Sequence, residues 1–412
     1  MSREILIHAG IGEIRIAVME DGRLHTLHSE ALLNDSAAKI GDIILGRVTR
    51  VMPAMQAAFV AIGTQPDGFL AHRDARGLAS DAADISHCVQ EGQEILVRVT
   101  REAMGKKGPR LCALSPDALP EKPAAARKSA KPPVTLYREP DLIARTLRDH
   151  AADASRIVID GAAGFAAARE FCRAAMPEIE ARIALFAEPG ALFDTLEEEI
   201  DGLCRPRVTL PSGGWIAIEP TEGFTAIDVN SGRFAASASR EETSLAVNLE
   251  AAMEIGRQMA LREIGGLIVA DFIQLAEAAN HRKILSALKM SMAVHDTVAQ
   301  ISSLPKLGLV AITRAKSRSP LLAQTHEACP ACDAGGYRRT VESVALAILR
   351  AVERAATLAP GKPVLVRAAP DVAAWLEARG GQIRVGLAGW GLARLSFQPE
   401  SGFARERFDV GT

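Results

Sequence analysis

The run Phe224-Thr225-Ala226-Ile227-Asp228-Val229-Asn230 sets an acid and an amide inside an apolar stretch, and Ile268-Val269-Ala270-Asp271-Phe272-Ile273 repeats the device further along the chain. Burying an unpaired carboxylate is costly, and two side by side hold a proton unless a cation neutralises them. Side chains alternate faces along a strand, so Asp228 and Asn230 share the face that Ile227 and Val229 do not. Between the two runs, Arg240-Glu241-Glu242 opens a helix with Leu245, Leu249, Ala252, Ile255 and Met259 on one stripe, and Gly265-Gly266 stops it. A crossover of this kind puts its two strands parallel in one sheet, which would bring Asp228, Asn230 and Asp271 together. Carboxylate and amide oxygens are hard donors, suited to Mg2+ or Mn2+ rather than zinc. A lone Asp in such a run would cap a turn or pair with an Arg; two in matching strand contexts favour a site.

A chain of 412 residues with 48% hydrophobic content can bury a large core divided among two to four domains. No apolar signal follows Met1-Ser2-Arg3-Glu4, and no run is long and apolar enough to span a membrane, so a cytoplasmic location is expected. The cysteines are scattered except for Cys329 and Cys332, which argues against a disulfide framework. A net charge of −2 neither demands nor excludes a nucleic-acid partner. Locally, Arg98, Arg101, Lys106, Lys107 and Arg110 form a basic cluster that could face phosphates or simply be solvated.

The chain begins with strands over Glu4 to His8 and Glu13 to Met19 and a hairpin turn at Glu20-Asp21-Gly22. Short strands from Ile40 to Leu114 suggest a small barrel. On it, Phe59 and Phe69 are aromatics able to stack bases, and Lys107 lies in a basic loop, the combination by which such barrels hold single strands; a purely core role for each Phe is the competing reading. The Pro, Lys and Ala composition from Ser115 to Pro133 predicts an extended linker. Alternating helix and strand patterns follow. Cys329-Pro330-Ala331-Cys332 is half a zinc site, whose missing ligands would come from His326 or a second copy of the chain, if a metal is bound at all. Val341 to Thr412 predicts a small α/β unit.

The order of these elements, and "GFTAIDVNSGRF", "EETSLAVNLEAAMEIGRQMALREIGGLIVADFIQL", "VTLPSGGW", "AAFVAIGTQPDGFL" and "CPACDAGG", resembles the ribonuclease E/G family over most of the chain. The resemblance implies a mixed α/β, multidomain fold. Its parts would be an RNase H-like domain from residues 1–38 and 137–203, an OB-fold RNA-binding barrel over 39–114, a DNase I-like catalytic domain over 204–325, a zinc link over 326–336 and a small dimerisation domain over 337–412, with the compositional linker, taken over 115–136, between the barrel and the second part of the first domain. It implies Mg2+ organised by Asp228, Asn230 and Asp271, RNA contacts through Phe59, Phe69 and Lys107, and Zn2+ shared between protomers by Cys329 and Cys332 of a homodimer or tetramer. The implied activity is magnesium-dependent cleavage of single-stranded RNA in rRNA processing and mRNA decay, leaving 5′-phosphate and 3′-hydroxyl ends.

Two departures stand out. The linker replaces the stretch that in the family recognises a 5′-monophosphate, so cleavage without 5′-end sensing is expected. Gln274 stands where relatives often place another acid, which leaves a weakly active or inactive RNA-binding relative as the alternative; a phosphodiesterase acting on DNA is a third reading.

Overall fold

A computed structural model of the chain describes residues 2–33, 38–78, 82–103, 107–115, 131–188, 190–232, 239–295, 297–304, 308–316, 318–329, 336–387, 390 and 394–412. The chain divides into two compact units, one of Met1–Leu33, Leu142–Ala315 and Pro320–Thr412, the other of Asn34–Asp141 with Lys316–Ser319. The expected mixed α/β, multidomain class holds.

In the first unit, the strands Arg3–Ala9, Glu13–Glu20 and Arg23–Ala31 form an antiparallel meander, and Ala154–Asp160 then Ile183–Leu185 add parallel to its first strand. The predicted hairpin turns through Asp21 and Gly22, both with positive φ (47° and 78°), the geometry that matches strand twist in a two-residue loop.

A second, six-stranded sheet runs in the order Arg207–Thr209, Trp215–Pro220, Thr225–Asn230, Gly266–Asp271, Leu309–Arg314, Ala299–Leu304. Only Thr225–Asn230 and Gly266–Asp271 pair in parallel, as the intervening helix requires. That helix, Arg240–Leu261, is N-capped by Ser239, whose Oγ accepts the Glu242 N–H. With Ala278–Val294 it covers one face of the sheet, where Ile216, Ile218, Ile227, Val229, Ile268, Ala270 and Ile312 pack on Val247, Ala251, Ile255, Met259, Ile284 and Leu288. Gly256 allows the helices to approach, since a Cβ there would lie 2.3 Å from Ser291 Oγ. A third, three-stranded sheet (Arg394–Pro399, Pro363–Ala368, Phe408–Gly411) lies with helices Val341–Leu358 and Pro370–Ala378 around its own core.

In the second unit, Ala57–Ala61, Gly68–Ala71, Arg110–Ala113, Glu94–Arg101 and Ile43–Met52 pair in succession, and the last returns to the first, closing a five-stranded barrel. Its interior holds Ile44, Val48, Ala58, Val60, Leu70, Val97, Val99 and Leu111. The end of the expected linker is corrected here: Val134–Tyr137 is a strand on the edge of Ile43–Leu45, where it covers Leu96. Leu96 would otherwise leave a large apolar side chain on the outside of the barrel, and covering it fixes as a paired strand a segment that Pro132 and Pro133 already start in extended conformation. Residues 116–130 lie outside the described residues.

Candidate active site and nucleic-acid interface

The register of the six-stranded sheet sets Asp228 directly opposite Asp271 on the neighbouring parallel strand. Asn230 lies one pleat along from Asp228, and its Nδ2 donates to Asp228 Oδ2 at 2.7 Å. All three side chains stand on the face away from the two helices. The premise that these acids are buried is therefore corrected: Asp228 and Asp271 are exposed, and it is the alternating Ile227, Val229, Ile268 and Ala270 that fill the core. Strand alternation assigns residues to two faces, and the helices choose which face is covered.

Partial burial and the Asp228 charge both push the Asp271 carboxyl above the usual carboxylate range. No lysine or arginine among the described residues forms an ion pair with either acid. The pair is thus a like-charge couple without a protein cation, and its donor set is oxygen throughout, the composition that fits a divalent hard ion.

The backbone that follows Asp271 is held by Asn248 and Glu241, whose contacts with it no local sequence pattern marks. Asn248, fully buried on the Arg240–Leu261 helix, donates from Nδ2 to the Ile273 carbonyl at 2.8 Å and accepts the Ile273 N–H at 3.0 Å, imitating a ladder partner. Glu241 accepts the N–H groups of Ala276 (2.9 Å) and Glu277 (3.2 Å), which holds its own carboxyl below the usual range. Gln274, in the same turn, is exposed.

On the barrel, Phe59 and Phe69 are cross-strand partners with ring centroids 5.8 Å apart in an edge-to-face arrangement. Both are half-buried on the outer surface, alternating with the core residues Ala58, Val60 and Leu70, so neither is a core aromatic. The register extends the pair into a row, Arg50, Phe59, Phe69, Arg110, Arg101, with arginines on either flank. Asp74 holds the Arg110 guanidinium at 2.8 and 2.9 Å, whereas Arg50 is exposed. Lys107 is exposed in the segment that leads into this row: Gly108 passes close to the Asp67 carbonyl, where a Cβ would lie 2.0 Å away, and the Pro109 carbonyl accepts the Phe69 N–H. Lys106 lies outside the described residues.

Cys329 is half-buried and free, and Cys332 lies outside the described residues. Burial pushes the His326 imidazole down, and its Nδ1 shares a hydrogen bond with Thr325 Oγ1 at 2.8 Å. No helix among the described residues is long and apolar enough to cross a membrane.

Residues 117–317 match the model of the ribonuclease E/G family, and residues 328–379 match that of the RNase E/G thioredoxin-like domain. The chain belongs to the ribonuclease E/G family. Within it, the chain is similar along its whole length to Ribonuclease G: 29% identical to that of Haemophilus influenzae, covering 99% of each chain, and 27% identical to that of Escherichia coli K12, covering 100% of this chain and 99% of the other. Ribonuclease E of Escherichia coli K12 is 30% identical over 84% of this chain and 40% of that protein. The alignment with the Haemophilus protein spans 490 positions against 412 residues here, so that relative carries residues for which this chain has no counterpart.

Proposed function

We propose that the protein is an endoribonuclease that hydrolyses phosphodiester bonds of single-stranded RNA with a divalent ion, Mg2+, held by Asp228 and Asp271. The single observation that carries this reading is the in-register acid pair without a cation partner on an open sheet face, in a member of a family whose relatives are named Ribonuclease G and E. When bound, the ion supplies Lewis-acid polarisation of a phosphoryl oxygen and favours attack by water. Asp228 and Asp271 anchor it, Asn230 orients Asp228, and Asn248 and Glu241 fix the backbone on which Asp271 stands. Such second-layer contacts govern whether ligands are preorganised.

We read the closed barrel as OB-type, with Phe59 and Phe69 taking unstacked bases and Lys107 and Arg50 taking backbone phosphates. Duplex bases already stack on one another, so single strands are the substrate. The two parts of the meander sheet fit an RNase H-like domain and the six-stranded sheet a DNase I-like one. Ends carrying 5′-phosphate and 3′-hydroxyl, a role in RNA processing and decay, and indifference to the 5′-end state belong to the same reading. Cys329 with Cys332 would share zinc across a homodimer, alone or paired into a tetramer, and Cys329→Ser would then lower metal content and release monomers on sizing.

Purified protein given Mg2+ and an unstructured AU-rich RNA should cut it equally fast with 5′-monophosphate, triphosphate or hydroxyl ends, and should leave the matched deoxy-oligonucleotide intact. Phe59→Ala and Phe69→Ala should each weaken RNA affinity about tenfold, the worth of one base–aromatic stack. No cutting with binding retained would favour the inactive RNA-binding alternative, for which Gln274 is the motivating residue; strong preference for 5′-monophosphate would contradict the loss of end sensing.

A further inference from the structure

The open face of the six-stranded sheet carries one more group aligned with the acid pair. Reading the register across the strands gives a single row, Arg207, Ala217, Asp228, Asp271, Leu309. Arg207 therefore stands two strand spacings from Asp228, roughly 10 Å between backbones, on the same face. The residue between them, Ala217, is too small to block the space over the sheet.

Arg207 is exposed, and no carboxylate among the described residues forms an ion pair with it. Its guanidinium instead lies over the Trp215 ring, with Cζ 3.9 Å from the ring centroid. Trp215 is itself the cross-strand partner of Asn230 and is half-buried, braced where Gly232 passes; a Cβ on Gly232 would lie 3.2 Å from the indole. A cation with no acid partner, fixed flat on an aromatic plane, keeps its N–H edge available and loses little rotamer freedom when it binds an anion. Guanidinium N–H groups match phosphate oxygens in a planar, two-pronged contact.

We propose that Arg207, held flat by Trp215, is a phosphate subsite that grips the RNA backbone next to the bond positioned over Asp228 and Asp271. This deepens the nuclease reading and rests on it: Arg207 binds substrate, and Trp215 is a positioning residue acting through Arg207. A neutral row of Ala217 and Leu309 on either side of the acids leaves Arg207 as the nearest cation along that row, so the strand would be drawn across the sheet from the Arg207 edge.

The test uses the full chain, a fluorescein-labelled AU-rich single-stranded RNA without metal for binding, and the same RNA with Mg2+ for cutting. For Arg207→Gln, the slope of log Kd against log salt should flatten by about 0.7, the signature of one lost contact to a single strand. KM should rise about tenfold with kcat within about twofold. Trp215→Leu should reproduce most of this loss and Trp215→Phe should restore most of it, a rescue that a merely structural role of Arg207 would not show. An unchanged salt slope and KM in Arg207→Gln, with the wild type still cutting RNA, overturns the subsite and leaves the nuclease reading standing. Wild-type protein that neither binds nor cuts RNA removes both.

Discussion

Asp271→Asn and Asp228→Asn proteins are expected to fold and to hold RNA, but to cut it at least about 100-fold more slowly than the wild type, because each removes half of the anionic anchor for the divalent ion. Chelating magnesium from the wild type should produce the same loss. The stability of Asp271→Asn should move the other way. Asp271 is raised by partial burial and by the Asp228 charge. A carboxyl whose folded value lies above its unfolded value binds its proton more tightly in the native state, so its ionisation costs stability once the pH rises past the carboxylate range. In metal-free buffer near neutrality, Asp271→Asn should therefore melt at or slightly above the wild-type temperature. Added Mg2+ should raise the wild-type Tm and leave that of the variant nearly fixed, since an ion that binds only the native state stabilises it by mass action. Cutting by either variant at the wild-type rate would remove these acids from the mechanism.

The second large effect concerns stability and lies away from the acid pair. His8, buried at the end of its strand, is gripped from both sides: Nδ1 lies 3.2 Å from Asp160 Oδ2 and Nε2 lies 2.9 Å from Glu353 Oε2. Glu353 Oε1 also accepts the Ile11 N–H at 2.6 Å, which ties the Val341–Leu358 helix to the N-terminal sheet. Arg350 pairs with Glu13 alongside, Arg15 reaches Glu197 at 2.8 Å, and Arg354 reaches Asp194 at 2.6 Å. Burial alone would lower the imidazole, and Arg15 pushes the same way, yet the two carboxylates outweigh both and raise it to about 9. A raised base contributes stability that is fully present below its unfolded value near 6.5 and is lost as the pH climbs through about 9. The full difference is on the order of 3 kcal/mol. Glu353→Gln keeps the shape and can still accept from Ile11, but leaves His8 with one acid, and it should destabilise the fold by roughly 2 kcal/mol at pH 7, a part of the full difference because Asp160 remains. It should also shift the alkaline loss to lower pH. Denaturant titrations of both proteins from pH 6 to 10 check this. Parallel stability curves would show that the His8 clamp does not link the Val341–Leu358 helix to the sheet.

Much of the acid site was legible because it depends on local rules. Two apolar strands with polar intrusions, joined by one capped helix, dictate parallel pairing and bring Asp228 to Asp271. Phe59 and Phe69 could be named as candidate stacking aromatics, but that they stand side by side on the outer barrel face depends on the register between their strands. Exposure of the acids was not, because a strand pattern does not say which face the helices will occupy. Arg207, Trp215 and Asn248 escaped because their roles depend on register between strands and on a helix packing over a sheet, which leave no periodic trace. The His8 clamp joins residues 8, 160 and 353, far apart along the chain, and nothing local to His8 marks it. Val134–Tyr137 was missed because the segment before it is polar and proline-rich, and the apolar outer face it covers became visible only once the barrel closed.

The most direct measurement is a titration of metal-free protein with Mg2+, followed by calorimetry and repeated with Mn2+ by electron paramagnetic resonance, on the wild type and on Asp228→Asn/Asp271→Asn without RNA. A divalent ion bound by the wild type and lost from the double variant, with the fold unchanged, is the predicted result. Equal binding by the two proteins would place the ion elsewhere and contradict the account.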